Sequence, residues 1–452
     1  MNRYIHWATG AILMLTSMFP SAGAAQEGRH ISLEEAVAEA RANQADAAIA
    51  EAIAVGARQQ ARAAGASRWP TIGLEAGLLT SNDPVAAFGN RLRQGRFTEA
   101  DFDPTRLNDP RAITDVDAAV VLGWTPVDFS RDAALASARE SAAAADLGAR
   151  WARRVAGYQA EVRYVEAAAA ELLLGSTEAA LAAAEANVDR AERHAAEGMV
   201  TEADVLQARA ALEDARLGDI TARQGVDDAR ARLALALGWP AEVVPVPDTE
   251  ALTRPDARSA VPSESSRADL LASEARVRAA SSQVSRADRA RLPKLQAFAR
   301  LEGHADEGFS ARGDSWSVGL RLSVPLFTGF ELGARRQAAR AELDVASLQH
   351  DQMLNRARAA LAEARRGLES RSSAVVAAEA AARSGLEAAR LMRLRYEEGL
   401  ATTAELLAVE SAATRHAATA LQARLSHRIA AASLLLLDDP TLHALSSEGV
   451  DR

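Results

Sequence analysis

Apolar and polar positions along the chain follow two different periods. In four short segments they alternate at every second residue. Ile72, Leu74, Ala76 and Leu78 point one way and Thr71, Gly73, Glu75 and Gly77 the other, while Val116, Ala118, Val120, Leu122 and Trp124 oppose Asp115, Asp117, Gly123 and Thr125. Later, Leu295, Ala297, Ala299 and Leu301 alternate with Gln296, Arg300 and Glu302, and Trp316, Val318, Leu320, Leu322 and Val324 alternate with Ser315, Ser317, Gly319, Arg321 and Ser323. A period of two predicts strands with one apolar and one polar face. Phe298 falls on the polar face and breaks the pattern.

The second period is helical. From Arg131 to Glu197 the chain carries helix formers almost without proline or β-branched clusters, and at about 1.5 Å per residue one helix there extends roughly 100 Å. No ordinary globular core needs that length. In the returning segment Val205, Ala208, Leu212, Ala215, Ala222, Val226, Ala229, Leu233 and Ala236 keep a three-four alternation broken at Asp219. This is a coiled-coil seam whose alanines permit close helix approach. A rigid coiled-coil rod explains the helices equally well, so the strands must decide.

The chain is also written twice. Gly198-Met199-Val200-Thr201-Glu202-Ala203-Asp204-Val205-Leu206 corresponds to Gly399-Leu400-Ala401-Thr402-Thr403-Ala404-Glu405-Leu406-Leu407. Arg68-Trp69-Pro70 corresponds to Arg291-Leu292-Pro293, and Pro126-Val127-Asp128-Phe129-Ser130 to Pro325-Leu326-Phe327-Thr328-Gly329. Pro126 precedes Gly198 by 72 positions and Pro325 precedes Gly399 by 74. Such even spacing predicts one structural unit used twice. The expected boundaries are 25–238 for the first repeat, 239–266 for a proline-rich irregular connector, 267–439 for the second repeat and 440–452 for a tail. A further irregular segment, Ser81 to Ile113, joins the first strand pair, and its counterpart, Gly303 to Gly313, is much shorter.

Composition narrows where such a molecule works. Arg3, the apolar run Ala8 to Phe19 and the small residues Ala22, Gly23 and Ala24 predict a signal peptide over 1–24. No later segment has 18 apolar residues in a row, so no inner-membrane helix is expected. The chain has no cysteine, which excludes disulfides, thiolate metal sites and lipidation of an N-terminal cysteine. A formal charge of -9 spread along the chain leaves no basic patch for nucleic acid.

Each alternating segment has about the length a tilted strand needs to cross a bilayer. A half-buried soluble sheet gives the same alternation, but export and the very long helices favour the membrane. Trp124, Trp316, Val318, Leu320 and Leu322 then face lipid; arginine is expected to be costly at Leu320 and better tolerated at Gly319. Four strands cannot close a barrel, since the smallest bacterial ones have about 8. A ring of three copies supplies twelve. The Ser81–Ile113 segment then lies at the cell surface.

With these residues in place the chain resembles the TolC family of outer membrane efflux proteins from about Ile31 to Asp439. Ile31-Ser32-Leu33-Glu34-Glu35-Ala36-Val37 is similar to the family's opening helix, Pro325-Leu326-Phe327-Thr328-Gly329 to its strand-to-helix turn, and Arg395-Tyr396-Glu397-Glu398-Gly399 to its approach to the periplasmic hairpin. Arg267-Ala268-Asp269-Leu270 departs with alanine for the usual proline, and Phe330 replaces a frequent glycine. The resemblance implies a mainly α fold with membrane β: a long α-helical coiled-coil barrel plus four strands per protomer in a trimeric 12-stranded transmembrane β-barrel. It implies a homotrimer in outer membrane lipid, a periplasmic adaptor, and an inner-membrane pump of the RND type in preference to the ABC type. Adaptor contact is implied at the hairpin tips Gly198, Met199, Val200, Thr201, Gly399, Leu400, Ala401 and Thr402. Asp204 and Glu405 stand where the family carries gating carboxylates, and Tyr396 where a tyrosine pairs with the neighbouring hairpin. Ala408 and Ala401 replace a second acidic ring and a basic gate residue, which implies a less charged gate. For Glu405 the alternative role is a helix N-terminus.

Catalytic and cofactor signatures are not found. No His-Glu-x-x-His, phosphate loop or nucleophile elbow occurs, and His416 and His427, about 16 Å apart along a helix, are too distant to share an ion. The function that the resemblance implies is a passive duct exporting small toxic compounds or metal ions, and no enzymatic activity, cofactor or bound metal is expected. A duct for type I protein secretion is the alternative within the family. A periplasmic coiled-coil adaptor or a structural tether is the alternative outside it.

Overall fold

The computed structural model describes residues 28–240, 242–253, 267–306 and 313–438. The expected signal peptide, the 440–452 tail and part of the connector lie outside them. The first half runs β1 (Arg29–Ile31), α1 (Leu33–Asn43), α2 (Ala45–Ala66), β2 (Thr71–Ser81), α3 (Pro84–Arg93), α4 (Pro104–Asn108), β3 (Ile113–Asp128), α5 (Phe129–Ala196) and α6 (Glu202–Leu237). After β4 (Pro245–Pro247) and α7 (Glu250–Thr253) come α8 (Ala268–Arg289), β5 (Lys294–Ala305), β6 (Gly313–Ser323), α9 (Glu331–Glu397) and α10 (Thr403–Leu437).

The duplication is visible in element lengths: α2 and α8 have 22 residues each, α5 and α9 have 68 and 67, and α6 and α10 have 36 and 35. A helix of 68 residues extends roughly 100 Å. By length and composition α5 is apolar enough to cross a membrane, yet α1, α2, α6, α8 and α10 all pack along it, as suits a bundle helix.

Small residues set the packing. Ala36, Ala40, Ala160, Ala168 and Leu233 are fully buried where α1, α5 and α6 meet, and Ala184, Val188, Ala191, Val205, Ala208 and Leu212 form the core of the first hairpin. The seam does not break at Asp219. That side chain is buried in line with the apolar positions and is neutralised by Arg223 one turn later at 2.8 Å, an ion pair that lets a carboxylate occupy the seam.

The connector is less irregular than its prolines suggest. β4 pairs in parallel with β1, Arg29 opposite Pro245 and Ile31 opposite Pro247. Tyr164 of α5 ties both strands to the bundle: its hydroxyl donates to the Ile31 carbonyl at 3.0 Å and accepts from the Asp248 amide at 2.7 Å. The Ser81–Ile113 segment also differs from expectation, since α3, a 3-10 turn at Glu99–Phe102 and α4 make it largely helical. Asp83 caps α3 by accepting from the Ala86 amide at 2.8 Å, with Pro84 in the first turn; the Asp-Pro pair is the sequence signal for that helix.

Candidate functional site: a strand wall and two hairpin tips

β2, β3, β5 and β6 form one antiparallel sheet in that order. Its register aligns the alternation of all four strands. Leu74, Val120, Leu301 and Trp316 share a row, as do Ile72, Leu122, Ala299 and Val318, and Ala297 lies between Trp124 and Leu320. One face is therefore continuously apolar. It is also bare: Ile72, Leu74, Trp316, Val318, Leu320 and Leu322 are each about 70% exposed or more in the single chain, where a soluble sheet buries this face against a second layer.

The opposite face carries charge. Arg300 bridges Glu75 at 2.7 Å and Glu302 at 2.6 Å. The exceptional Phe298 belongs there because its neighbour on β6 is Gly319. The ring lies over that glycine, where a methyl group at 319 would stand 2.5 Å from Cζ, and the Arg321 guanidinium sits 5.9 Å from the ring centre. A side chain at 319 therefore has to push the outer end of the partly exposed Phe298 ring aside.

Where the sheet joins the helices, large apolar groups stay exposed: Trp69, Leu326, Phe327 and Phe330. Such a cluster fits the boundary between hydrocarbon and headgroups. Phe330 holds φ 68°, the only non-glycine positive φ among the described residues, at the position where the resemblance predicts glycine. Its ring packs edge-on against Phe327 at 5.6 Å.

Far from the sheet, the two hairpin tips are built alike. α5 and α9 each end in a glycine with left-handed φ, Gly198 at 72° and Gly399 at 71°. The next amides, Met199 and Leu400, donate back to His194 and Arg395 at 2.8 and 2.7 Å, the closure of a Schellman motif. Thr201 and Thr402 then start α6 and α10 with capping boxes. Asp204 accepts from the Thr201 amide and hydroxyl at 2.9 and 2.7 Å, and Glu405 from those of Thr402 at 2.8 and 3.0 Å.

Hydrogen bonds from these threonines hold both carboxyls below the usual carboxylate range. The predicted gate carboxylates thus serve as caps within the chain, and only one oxygen of each is used. Tyr396 is buried, hydrogen-bonded to Thr403 at 3.2 Å, with its ring 5.4 Å from that of His194 in the other hairpin. Asn187–Glu410 at 2.6 Å and Arg190–Glu397 at 3.2 Å also join the hairpins. No group of three or more His, Cys, Asp or Glu residues is placed to hold a metal among the described residues.

Comparison with known proteins agrees with this geometry. The family model described as outer membrane efflux protein matches residues 36–239 and 263–438. Protein CyaE of Bordetella pertussis is 32% identical over 362 residues, 75% of this chain and 73% of its own. Among solved structures, the outer membrane protein VceC of Vibrio cholerae superposes with a TM-score of 0.71 at 22% identity, covering 90% of this chain and 96% of its own. The Campylobacter jejuni CmeC outer membrane channel does so with 0.74 at 16% identity, covering 92% and 89%. These structural likenesses establish the fold: a long helical barrel segment joined to a membrane sheet. The chain belongs to the outer membrane efflux protein family and is an efflux duct of the outer membrane that extends into the periplasm.

Proposed function

We propose that three copies close the duct and that it is the passive exit of a tripartite system, receiving small toxic compounds or metal ions from a periplasmic adaptor and an inner-membrane pump of the RND type. The observation that carries this reading is the four-stranded sheet with one bare apolar face and two unpaired edges, β2 and β6. Unpaired edges of eleven residues each invite strand addition, and pairing β6 of one copy with β2 of the next closes twelve strands without a free edge. The lipid-facing residues are then Trp124, Trp316, Val318, Leu320 and Leu322.

The bare tips at Met199 and Leu400, both exposed, are the surfaces for the adaptor. Both signs of charge on the lumen face, as in Glu75–Arg300–Glu302, suit conduction of mixed small solutes. No step of bond chemistry is assigned to the protein. Deleting the gene tests the assignment: cells should accumulate a small fluorescent efflux substrate while the set of secreted proteins stays unchanged. Loss of one secreted protein with normal dye efflux would instead give type I protein export.

A further inference from the structure

We infer that the 82–112 insert is a lumenal cap that sets the size limit of the outer mouth, an inference that rests on the duct reading above. The insert starts and ends on the β2–β3 hairpin, yet its contacts run across the sheet to β6. Gln94, almost fully buried, donates through Nε2 to the Thr114 carbonyl at 2.8 Å, to Asp115 Oδ1 at 2.9 Å and to the Ala305 carbonyl at 3.2 Å. Asp115 is joined in turn to His304 Nδ1 at 2.9 Å. Arg96 pairs with Asp306 beyond β5. At β6 the insert backbone comes so close that a methyl group on Gly313 would stand 1.8 Å from the Arg93 carbonyl oxygen.

The face that receives the insert decides its role. Asp115 and His304 belong to the polar set of the alternation, since His304 lies opposite Asp117 while apolar Val116 lies opposite Ala305. They are 4% and 5% exposed, whereas Ser315 and Ser317 on the same face are open. Burial of polar groups on the water side, confined to the outer end, means that the insert folds inward over the lumen. In a three-fold ring three inserts converge there. The insert carries five arginines and five acidic residues (Arg91, Arg93, Arg96, Arg106, Arg111; Asp83, Glu99, Asp101, Asp103, Asp109), so it discriminates by size rather than by charge.

Planar-bilayer conductance with polymer exclusion tests this on the full-length protein. Replacing 84–111 by a short Gly-Ser linker should raise single-channel conductance about twofold or more and admit larger poly(ethylene glycol) from the outer side, because the constriction is removed. Gly313→Val, which wedges the insert off the sheet, should move both readings the same way. Gln94→Cys with Asp115→Cys, in a chain that has no other cysteine, should hold conductance at the low value when oxidised. Channels of unchanged conductance and unchanged polymer cut-off in the linker and Gly313→Val variants would overturn the cap. Absence of any channel in the unmodified protein would instead overturn the duct.

Discussion

Phe298 lies across Gly319 on the adjacent strand, close enough that a single methyl at 319 would collide with the ring. This fixes which substitutions can test the facing of the sheet. Leu320→Arg places a charge on the bare apolar face and should cost about 2–4 kcal/mol near the bilayer midplane. Ser317→Arg, on the opposite face, should assemble nearly as well as the parent. Gly319→Arg, on the polar side but against the Phe298 ring, should fall between the two. Heat-modifiable mobility of the outer-membrane fraction measures all three; equal defects at 317 and 320 would contradict the facing.

Tyr164 joins two segments over 80 positions away in each direction, Ile31 and Asp248. Burial raises its pKa, so the hydroxyl stays a donor throughout the working range. Tyr164→Phe leaves a buried carbonyl and a part-buried amide short of a partner, which should cost about 1–3 kcal/mol. Thermal unfolding in detergent should show the loss, with the amides of β1 and β4 exchanging faster. An unchanged midpoint would mean that the β1–β4 pair contributes nothing.

At the tips, Asp204 and Glu405 are held below the usual carboxylate range by Thr201 and Thr402. A depressed pKa contributes stability that is present above the unfolded value and lost as pH falls through the folded one. Tip order should therefore persist at pH 7 and decline as the medium is acidified below about pH 4. Amide exchange at Ala404, Glu405 and Leu406 reads this directly. Glu405→Ala should weaken cation selectivity as well if its unused oxygen faces the pore; unchanged selectivity with faster exchange would leave capping as its sole role. Tyr396→Phe removes the bond to Thr403 and should raise open probability.

How much of this was legible depends on how local each signal is. The strand faces were readable because the period of two is a property of each strand alone, and the register then brings Leu74, Val120, Leu301 and Trp316 into one row. The hairpin tips were readable because glycine and a following threonine mark helix ends wherever they occur. The place of Phe298 was not, since its partner Gly319 is found only through pairing. Gln94 was equally hidden: nothing nearby in sequence announces Asp115 and Ala305 as its acceptors. Helix α3 had a local signal in Asp83-Pro84 that the surrounding prolines and phenylalanines obscured.

The same reasoning explains Asp219. In sequence it interrupts the heptad seam, but Arg223 lies one turn on and Glu178 reaches the same guanidinium from α5 at 2.7 Å. Asp219→Leu, which removes the buried charge and keeps an apolar seam, should be neutral or stabilising. Arg223→Ala, which strands the carboxylate, should be destabilising by about 3 kcal/mol or less. Thermal midpoints in that order support the ion pair as compensation; a larger loss for Asp219→Leu would show a specific need for the carboxylate.

The central claim, that this chain closes into a water-filled duct, is tested most directly by single-channel current. Protein purified in mild detergent and added to a planar bilayer should give discrete conductance steps of uniform size, and the Leu320→Arg protein should give far fewer insertions under the same conditions. A silent bilayer, with the parent protein demonstrably folded, would contradict the account.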